Sequence, residues 1–368
     1  MRIDRIELRT LNLPIVTPFT TSFGTQTVRE VMMVHVQGPD VDGWGECVTL
    51  AEPIYSPEYT AGAREVIRRW LGPMLLSAEV RTARDVAPAL EHVVGHRMAK
   101  GALEMAVLDA ELRAQGRSFA EHLGVQVDRV PSGVSVGIVD SVPELVEVVG
   151  DYLEQGYVRI KLKIKPGWDL EPVRAVREAY GDIPLQVDAN TAYTLGDAAH
   201  LARLDEFDLL LIEQPLGEED LRQHAELARR IATPVCLDES VVSAQAAADA
   251  IALGAAEVIN IKPGRVGGYL EAVRIHDLAR AHGVPVWCGG MLETGVGRAA
   301  NAALAGLPGF SLVGDISASD RFYARDITEP LRLQDGHIAI PAGPGFGVEV
   351  VPDALEAFTV DVAEVLPA

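Results

Sequence analysis

Five ionisable residues follow one another along the sequence at nearly constant spacing. Lys163, Asp188, Glu213 and Asp238 are separated by 25 residues each, and Lys262 follows Asp238 after 24. Three carboxylates without a neighbouring His or Cys are hard oxygen ligands, which suit Mg²⁺ or Mn²⁺ better than zinc. Packed together, they would repel one another unless a divalent cation lay among them. The series therefore predicts a metal site made of Asp188, Glu213 and Asp238.

The two lysines of the series are suited to proton transfer. A free lysine, with a pKa of about 10.4, is a poor base at neutral pH. Burial and nearby positive charge can lower such a pKa to roughly 7 to 8, where the amine becomes an effective base. Lys163 precedes the carboxylates and Lys262 follows them, so in a closed ring of strands they approach from opposite sides. We expect them to act on two faces of one carbon.

Other polar residues lie close to this series. Lys161 points to the same side of its strand as Lys163, because side chains alternate along a strand. Asn190 lies two residues after Asp188 and Glu239 one residue after Asp238, and both are expected to support these carboxylates. Arg265 is expected to add a second cation, with a solvated loop charge as the alternative. For any single residue a structural role is the simpler interpretation, but five in succession favour a common site.

The elements that position these residues recur from about residue 130 onward. Amphipathic stretches of helical length separate short apolar runs, a pattern that predicts an α/β fold with a parallel sheet closed into a (β/α)8 barrel. An open doubly wound sheet is the alternative, but equal units without a topological break favour closure. In a barrel the strand carboxyl ends share one face, so the ionisable residues should surround one cavity. The predicted strands cover residues 133–138, 158–164, 184–188, 208–213, 234–238, 258–262, 285–288 and 311–315.

The segments outside this series predict a second domain. Residues 1–125 are expected to form an α+β capping domain, residues 126–320 the barrel, and residues 321–368 a return to the cap. The loop that carries Phe19 and Phe23, together with Tyr55, is expected to close the cavity against water. Packing within the cap is the alternative for these three rings. Cap strands are predicted over residues 2–10 and 30–36, helices over 58–71, 82–92 and 98–114, and a short strand pair at 331–333 and 337–340.

Composition and charge exclude several classes of protein. The chain has 368 residues, of which 48% are apolar and 23% charged, as in ordinary globular proteins. Its 32 basic and 53 acidic residues give a net charge of −21 without a basic block, which argues against nucleic acid and anionic membranes as partners. The three cysteines lack CxxC spacing, and no run approaches the ~18 apolar residues of a membrane span. Without a signal-peptide pattern, a cytoplasmic protein is expected.

One motif points to a different chemistry. Gly295-Val-Gly297-Arg-Ala-Ala300 matches GxGxxA, and Asp315 lies 18 residues beyond Gly297, as in a dinucleotide-binding fingerprint. The motif falls in the seventh unit of the series instead of opening a βαβ fold, so nucleotide binding is not expected. Its backbone amides are a candidate site for an anionic group of a substrate.

Taken in order, the motifs resemble those of the enolase superfamily, muconate-lactonizing subgroup. The resemblance spans essentially the whole chain and implies a cap and a barrel that share the active site. Residues 288–300 and 314–320 further resemble the N-acylamino acid racemase and o-succinylbenzoate synthase family. Arg265 is similar to the family's arginine beside the lysine of the sixth strand, which favours racemisation. The motifs are Lys161-Leu-Lys163, Asp188-Ala-Asn190, Glu213-Gln-Pro215, Asp238-Glu239-Ser240 and Lys262-Pro-Gly264.

This resemblance implies a Mg²⁺-dependent N-acylamino acid racemase, acting on N-succinylamino acids, that also has o-succinylbenzoate synthase activity. Mn²⁺ or Co²⁺ would substitute for Mg²⁺. The α-proton is removed through a metal-stabilised enediolate, a mechanism established for the superfamily. The resemblance also implies a homo-oligomer, often an octamer, and a place in menaquinone biosynthesis.

The resemblance also implies a role for each site residue. Lys163 and Lys262 are the catalytic bases, and Lys161 neutralises the substrate carboxylate. Ser135 donates a hydrogen bond to the substrate, while Met291 and Leu292 line a pocket for its apolar part.

Several other functions stay open. The enzymatic alternatives are o-succinylbenzoate synthesis alone, a muconate-type cycloisomerase and a dipeptide epimerase. Ser317 stands where such epimerases are expected to have the second Asp of Asp-x-Asp, which counts against them. A non-catalytic barrel that binds a carboxylate ligand is an alternative of a different class. The intact lysines argue against it.

Overall fold

The first part of the chain forms an antiparallel sheet and a layer of helices. The computed structural model describes residues 1–367. A π-helical turn at Ile67–Leu71 joins the first two helices, and a 3-10 turn at Ala83–Asp85 precedes the third. The elements are β1 (Arg5–Thr21), β2 (Gly24–Gly38), β3 (Val41–Cys47), α1 (Thr60–Val66), α2 (Gly72–Ser77), α3 (Val86–Ala89), α4 (Arg97–Ala114), α5 (Phe119–Leu123) and β4 (Arg129–Pro131).

The middle of the chain alternates strands and helices, as its periodicity predicts. Each strand is buried along its whole length, which is usual where helices cover a parallel sheet. The strands are β5 (Gly133–Val136), β6 (Arg159–Lys163), β7 (Leu185–Asp188), β8 (Ile212–Glu213), β9 (Val235–Leu237), β10 (Val258–Ile261) and β11 (Val286–Cys288). The helices are α6 (Val142–Gln155), α7 (Leu170–Tyr180), α8 (Ala198–Leu201), α9 (Leu221–Ala228), α10 (Ala244–Leu253), α11 (Pro263–Val266), α12 (Tyr269–Ala281) and α13 (Gly295–Ala305).

These strands form one parallel sheet in the order β11-β10-β9-β8-β7-β6-β5. The barrel prediction is confirmed, but the prediction of an eighth regular strand over residues 311–315 is wrong. That segment closes the ring through isolated bridges, Val286 with Phe310 and Ser132 with Gly314. The carbonyl of Val313 accepts a hydrogen bond from the Arg159 guanidinium at 3.0 Å instead of pairing with a strand.

The last part of the chain returns to the first. Strand β14 (Thr359–Val365) pairs antiparallel with β1 and completes a four-stranded sheet in the order β14-β1-β2-β3. The short pair β12 (Leu333–Gln334) and β13 (His337–Ala339) joins β4 instead of that sheet. Helix α14 (Pro352–Phe358) precedes β14. None of the helices within residues 1–367 is long and apolar enough to cross a membrane.

The capping helices differ most from prediction. The helix predicted over residues 82–92 is only the turn at Ala83–Asp85 and the single helical turn α3, and residues 90–96 are irregular. The predicted helix over 58–71 extends to Ser77. The long helix α4 starts one residue before its predicted position, and 13 of its 18 residues are buried. It is packed against β3, where Gly43 and Gly45 leave no room for a Cβ atom beside its backbone.

Candidate active site

The strand register brings the carboxylates together at one end of the barrel. Lys163 is paired with Asp188, and Asp188 with Glu213, on successive strands. Asp238 and Lys262 directly follow β9 and β10. The three carboxylates have no solvent-exposed area. The five residues predicted from their spacing therefore lie around one site.

Each carboxylate is paired with an ammonium group. Lys163 Nζ lies 2.5 Å from Asp188 Oδ2 and 2.7 Å from Asn190 Oδ1. Lys262 Nζ lies 2.8 Å from Asp238 Oδ2. Because Glu213 lies between these two pairs in strand order, the two lysines contact the outer members of the carboxylate series.

Lys161 occupies the interior of the barrel below this site. Its Nζ lies 2.8 Å from Glu213 Oε2, 2.6 Å from Asp315 Oδ2 and 3.4 Å from Asp188 Oδ2. The ring of Trp287 lies 4.7 Å from the same nitrogen. Lys161 therefore contacts two of the predicted metal ligands, Asp188 and Glu213. It is a lysine of the barrel interior that is paired with carboxylates.

Local backbone geometry fixes the loops after the strands. Asn190 and Gln214 adopt positive φ angles of 41° and 38°. The Gln214 carboxamide accepts hydrogen bonds from the backbone N–H groups of Asp238 and Ser240. Asn190 donates to Glu239 Oε1 at 2.9 Å while accepting from Lys163. Asn190 and Glu239 therefore link Lys163 to the loop that carries Asp238.

Arg265 is buried at the site, so its alternative interpretation as a solvated charge is wrong. Its Nη2 lies 3.0 Å from Asp238 Oδ1. Tyr55 reaches the same carboxylate from the cap: its hydroxyl lies 3.4 Å from Asp238 Oδ2 and accepts a hydrogen bond from Lys262 at 3.1 Å. Phe23 lies beside Tyr55, with ring centroids 6.0 Å apart. The cap thus contributes directly to the site.

The electrostatics of the cluster are set by burial and by the neighbouring charges. Burial, reinforced by Asp188, raises the pKa of Glu213 to about 8, and burial with Asp238 does the same for Glu239. Burial alone would lower the pKa of Lys262, but the Asp238 carboxylate outweighs it and raises that pKa above its ordinary value. In this arrangement the nearest charge to Lys262 is negative, so a lowered pKa at this lysine would require an additional positive charge beside it.

The donor set fits a hard divalent ion in number and type, since three buried carboxylates stand on consecutive strand ends. Within residues 1–367, no three His, Cys, Asp or Glu side chains are grouped closely enough to hold an ion as they stand. Each of the carboxylates of Asp188, Glu213 and Asp238 has an oxygen bonded to a lysine. Asp238 Oδ1 and Glu239 Oε2 are nevertheless buried without a hydrogen-bond donor, since Arg265 is near Asp238 Oδ1 in distance but not in direction. Because neither oxygen accepts a hydrogen bond, both keep lone pairs that could coordinate a metal ion.

Two cavities border the cluster. One of about 50 Å³ is lined by the three lysines together with Phe19, Ser135 and Leu292. A larger one of about 740 Å³ is lined by Phe23, Tyr55, Asn190 and Glu239. Met291 lines neither cavity and packs in the hydrophobic core. The other residues predicted to contact substrate therefore face open space near the lysines.

The GxGxxA motif forms the start of α13, but its amides are already bonded. Glu46 of β3 accepts hydrogen bonds from the backbone N–H groups of Thr294 and Gly297, and Asp326 accepts one from Gly295. The expectation that these amides bind an anionic substrate group is therefore wrong, because two carboxylates of the protein occupy them.

Sequence reasoning missed four charged residues at or beside the smaller cavity of the site, which are Arg159, Glu293, Arg298 and Asp315. Asp315 pairs with both Lys161 and Arg159, and Arg298 lines the smaller cavity. Asp315 lay at the end of the predicted eighth strand, in the dinucleotide motif and in the family-like segment 314–320, but it was given no role at the site. Arg159 has the same strand parity as Lys161 and Lys163, a signal that would have placed it inside the barrel.

Two parts of the sequence match the two domains of one enzyme family. Residues 5–124 match the mandelate racemase/muconate lactonizing enzyme N-terminal domain, and residues 144–354 match the enolase C-terminal domain-like family. The chain belongs to the mandelate racemase/muconate lactonizing enzyme family. Enzymes of this family depend on a divalent metal ion, and those similar to this chain act on small-molecule carboxylates.

Within this family, the chain is similar to proteins of two named activities. It is 66% identical over 360 residues to an N-succinylamino acid racemase of an Amycolatopsis species, covering 98% of each chain. It is 45% identical to an o-succinylbenzoate synthase of Geobacillus kaustophilus, covering 98% of this chain and 96% of that one. An enolase superfamily structure from Listeria innocua matches with a TM-score of 0.95 at 36% identity, over 100% of this chain and 99% of that one.

Proposed function

We propose that this protein is an N-succinylamino acid racemase that also has o-succinylbenzoate synthase activity. The observation that carries the proposal is the pair of buried ammonium groups, Lys163 and Lys262, at the two ends of a buried three-carboxylate series. Racemisation needs a proton donor and acceptor on each face of one carbon. A relative of 66% identity that carries the first of these names supports the same assignment.

A divalent ion would be held by Asp188, Glu213 and Asp238. We propose that this ion is Mg²⁺ and that Mn²⁺ or Co²⁺ can replace it. When bound, the ion would stabilise the negative charge that develops on the substrate carboxylate as the α-proton leaves. Its binding would also draw the carboxylates away from the lysines. A lysine released from its carboxylate and close to a dication would have the lower pKa that a base needs.

The other site residues bind and enclose the substrate in this proposal. Lys161 neutralises the substrate carboxylate, and Ser135 donates a hydrogen bond to the acyl group. Asn190, Glu239 and Arg265 hold the lysines and carboxylates in place through the contacts described above. Phe19, Phe23, Tyr55 and Leu292 exclude water and contact the apolar part of the substrate, whereas Met291 packs in the core.

The same proposal divides the chain into a cap of residues 1–125, with the return of residues 321–368, and a barrel of residues 126–320. The pairing of β14 with β1 supports this division. We further propose that the protein works in the cytoplasm as a homo-oligomer, up to an octamer. Sedimentation velocity at micromolar concentration would test the assembly, and a monomer would contradict it.

Proton NMR in D₂O tests the function directly. The protein with Mg²⁺ is mixed with N-succinyl-L-phenylalanine, the α-hydrogen signal is followed, and the same samples are separated by chiral chromatography. We expect loss of the signal together with loss of optical purity. Exchange with complete retention of optical purity would contradict a two-base racemase. Absence of exchange for both enantiomers would contradict racemisation altogether.

The o-succinylbenzoate synthase activity is favoured by the relative of that name, which shares 45% of its residues with this chain. In this reaction Lys163 would act first as base and then as acid, and Lys262 would act as a cation. Conversion of the cyclohexadiene precursor is followed by ultraviolet absorbance. Turnover without racemisation would leave synthesis as the single activity.

A further inference from the structure

A third lysine continues the pattern of the second barrel strand. Lys161, Lys163 and Lys165 occupy alternate positions, so their side chains leave the extended chain on the same side. The first two are buried and paired with carboxylates. Lys165 lies just beyond the end of β6 and is exposed, and within residues 1–367 no carboxylate lies at salt-bridge distance from it. The charge of this third lysine therefore has no role in the ion pairs of the site.

A tight turn fixes the position of Lys165. Its backbone N–H donates to the Trp168 carbonyl at 3.1 Å, and the N–H of Trp168 donates back to the Lys165 carbonyl at 2.8 Å. Pro166 and Gly167 lie between them, and Gly167 has a φ of 81°, in the left-handed region that glycine favours. The residue before Lys165 donates its backbone N–H to the Asp188 carbonyl at 2.9 Å. The turn is thus held against the next barrel strand, beside the first predicted metal ligand.

Lys165 lines the larger of the two cavities at the site, with a volume of about 740 Å³. We call this cavity the outer chamber. It borders Asn190, which accepts a hydrogen bond from Lys163, so it leads to the cluster of lysines and carboxylates. Its walls are residues 22–23 and 53–57 of the cap, and residues 165–166, 190–192, 217–218 and 239 of the barrel. Among these described lining residues, Lys165 carries the only positive charge, whereas Glu218 and Glu239 are acidic.

The charge of the rest of the molecule opposes the entry of an anion. The chain has a net charge of −21. In the outer chamber, partial burial of Glu218, reinforced by the neighbouring Glu219, raises the pKa of the Glu218 carboxyl above its ordinary value. The Arg265 guanidinium opposes that rise, but it is itself paired with Asp238. Lys165 therefore supplies the positive charge that an anion meets in this chamber.

We propose that Lys165 recruits the anionic substrate into the outer chamber by attraction at a distance, and that Glu218 opposes it. This inference rests on the proposed function, because it requires a carboxylate substrate, but it does not depend on the acyl group or side chain of that substrate. Lys163 and Lys262 are neutralised by their own carboxylates and cannot supply the same attraction. Charges at an entrance change the association rate and its salt dependence without changing the chemical step.

Charge changes of opposite sign at the two residues test the proposal. Racemisation of N-succinyl-L-phenylalanine, which carries two carboxylates, is measured at pH 8 with saturating Mg²⁺. At an ionic strength of about 0.01 M, charges act over about 30 Å. Lys165→Gln should then lower kcat/KM about three- to tenfold with little change in kcat, and Lys165→Glu should lower it by about the square of that factor. Glu218→Gln should instead raise kcat/KM, by about two- to fivefold.

Salt distinguishes attraction at a distance from a direct contact. At an ionic strength of about 1 M, charges act over only about 3 Å, so kcat/KM of every variant should return to within about twofold of the wild-type value. Lys100 is the matched control, because it is the one lysine of the sequence outside the site and lies in the groove between α4 and the barrel. Lys100→Gln should leave kcat/KM unchanged at both salt concentrations.

The outcomes separate this inference from the proposed function. An unchanged kcat/KM for Lys165→Gln at low salt, or a loss that persists at high salt, would overturn recruitment while leaving the racemase intact. Circular dichroism establishes that each variant is folded, and if neither Lys165 variant folds, the salt-dependent gain in Glu218→Gln decides the matter. If the wild type does not racemise the substrate, the racemase function is refuted, and the same comparison with the synthase precursor, also a carboxylate, decides the role of Lys165. Turnover of neither substrate would overturn both proposals.

Discussion

At the residue scale, the charged groups of the site form specific ion pairs. Lys163 is paired with Asp188 and Lys262 with Asp238, and each lysine approaches from a different strand. Lys262 has an additional contact with the cap through Tyr55. Because the two lysines have different partners, their removal should have different and separable consequences.

The first prediction concerns these lysines. Lys163→Ala and Lys262→Ala should each abolish racemisation of N-succinyl-phenylalanine, because one face of the α-carbon loses its proton carrier. A positioned general base contributes about 10²- to 10⁴-fold, so losses of at least that size are expected in kcat. Each variant should keep α-proton exchange for one enantiomer, and the two variants should differ in which one. Full racemisation by either variant would refute the two-base assignment.

The second prediction concerns the interior pair that sequence reasoning missed. Asp315→Asn removes the charge that pairs with Lys161 and Arg159, leaving the buried Arg159 without a carboxylate partner and Lys161 with one fewer. Breaking a buried pair in this way costs roughly 3 to 5 kcal/mol, which urea unfolding would measure. Asp320→Asn is the control, because its contact with Arg332 is 3.7 Å long and exposed, and such pairs contribute about 0 to 1 kcal/mol. Equal effects of the two variants would contradict the argument.

At the element scale, seven barrel strands and the long capping helix α4 could be predicted, whereas the eighth barrel strand and the capping helix over residues 82–92 could not. Strands that are buried on both faces are short apolar runs in the sequence. Their carboxyl ends, and the ionisable residues at those ends, could therefore be predicted from the regular spacing. The closing segment at residues 311–315 has the same composition but lies irregularly, because Arg159 from inside the barrel takes the Val313 carbonyl. A contact between residues 154 positions apart leaves no trace in local periodicity. The short helix α3 and the irregular residues 90–96 show the same limit.

The third prediction concerns that closing segment. A Cβ atom on Gly314 would lie 2.5 Å from the Cys288 carbonyl oxygen, where the segment is bonded to β11. Gly314→Ala should therefore destabilise the fold by about 1 to 3 kcal/mol, as overpacking commonly does. Gly217→Ala is the control, since nothing lies within 4 Å of the position that its methyl group would take. Thermal unfolding of both variants decides the point, and a stable Gly314→Ala protein would show that the ring can relax there.

At the scale of the whole molecule, buried carboxylates of the cap join the two parts of the chain. Glu46 bonds the start of α13, and Glu104 of α4 accepts hydrogen bonds from the backbone N–H groups of Tyr269 and Leu270 at the start of α12. Asp109 bonds both Trp44 and Phe346. None of these acids could be distinguished in the sequence from surface acids. Glu46 and Glu104 meet their partners only when the cap and barrel dock, and Asp109 meets Phe346 only when residues 321–368 return to the cap.

The fourth prediction follows from the burial of Glu104. Burial raises the pKa of its carboxyl from 4.5 to about 8, against the opposing effect of the bonds from Leu270 and Tyr269, with Glu271 adding to the rise. Arg97 and Lys100 line the same groove. Between pH 4.5 and 8 the folded state holds a proton that the unfolded state has lost. The free energy of unfolding therefore falls as the pH rises, by up to about 1.4 kcal/mol per pH unit from this group.

Glu104→Gln isolates that contribution, because its amide keeps the acceptor oxygen and cannot ionise. Urea unfolding between pH 5 and pH 8 should give a shallower loss of stability in the variant than in the wild type, and the variant should be the more stable of the two at pH 8. The exposed Glu91 lies in the same groove, so Glu91→Gln should leave the wild-type slope unchanged. Parallel curves for Glu104→Gln and the wild type would mean that Glu104 is ionised in the fold, with the lysine and arginines of the groove supplying its countercharge.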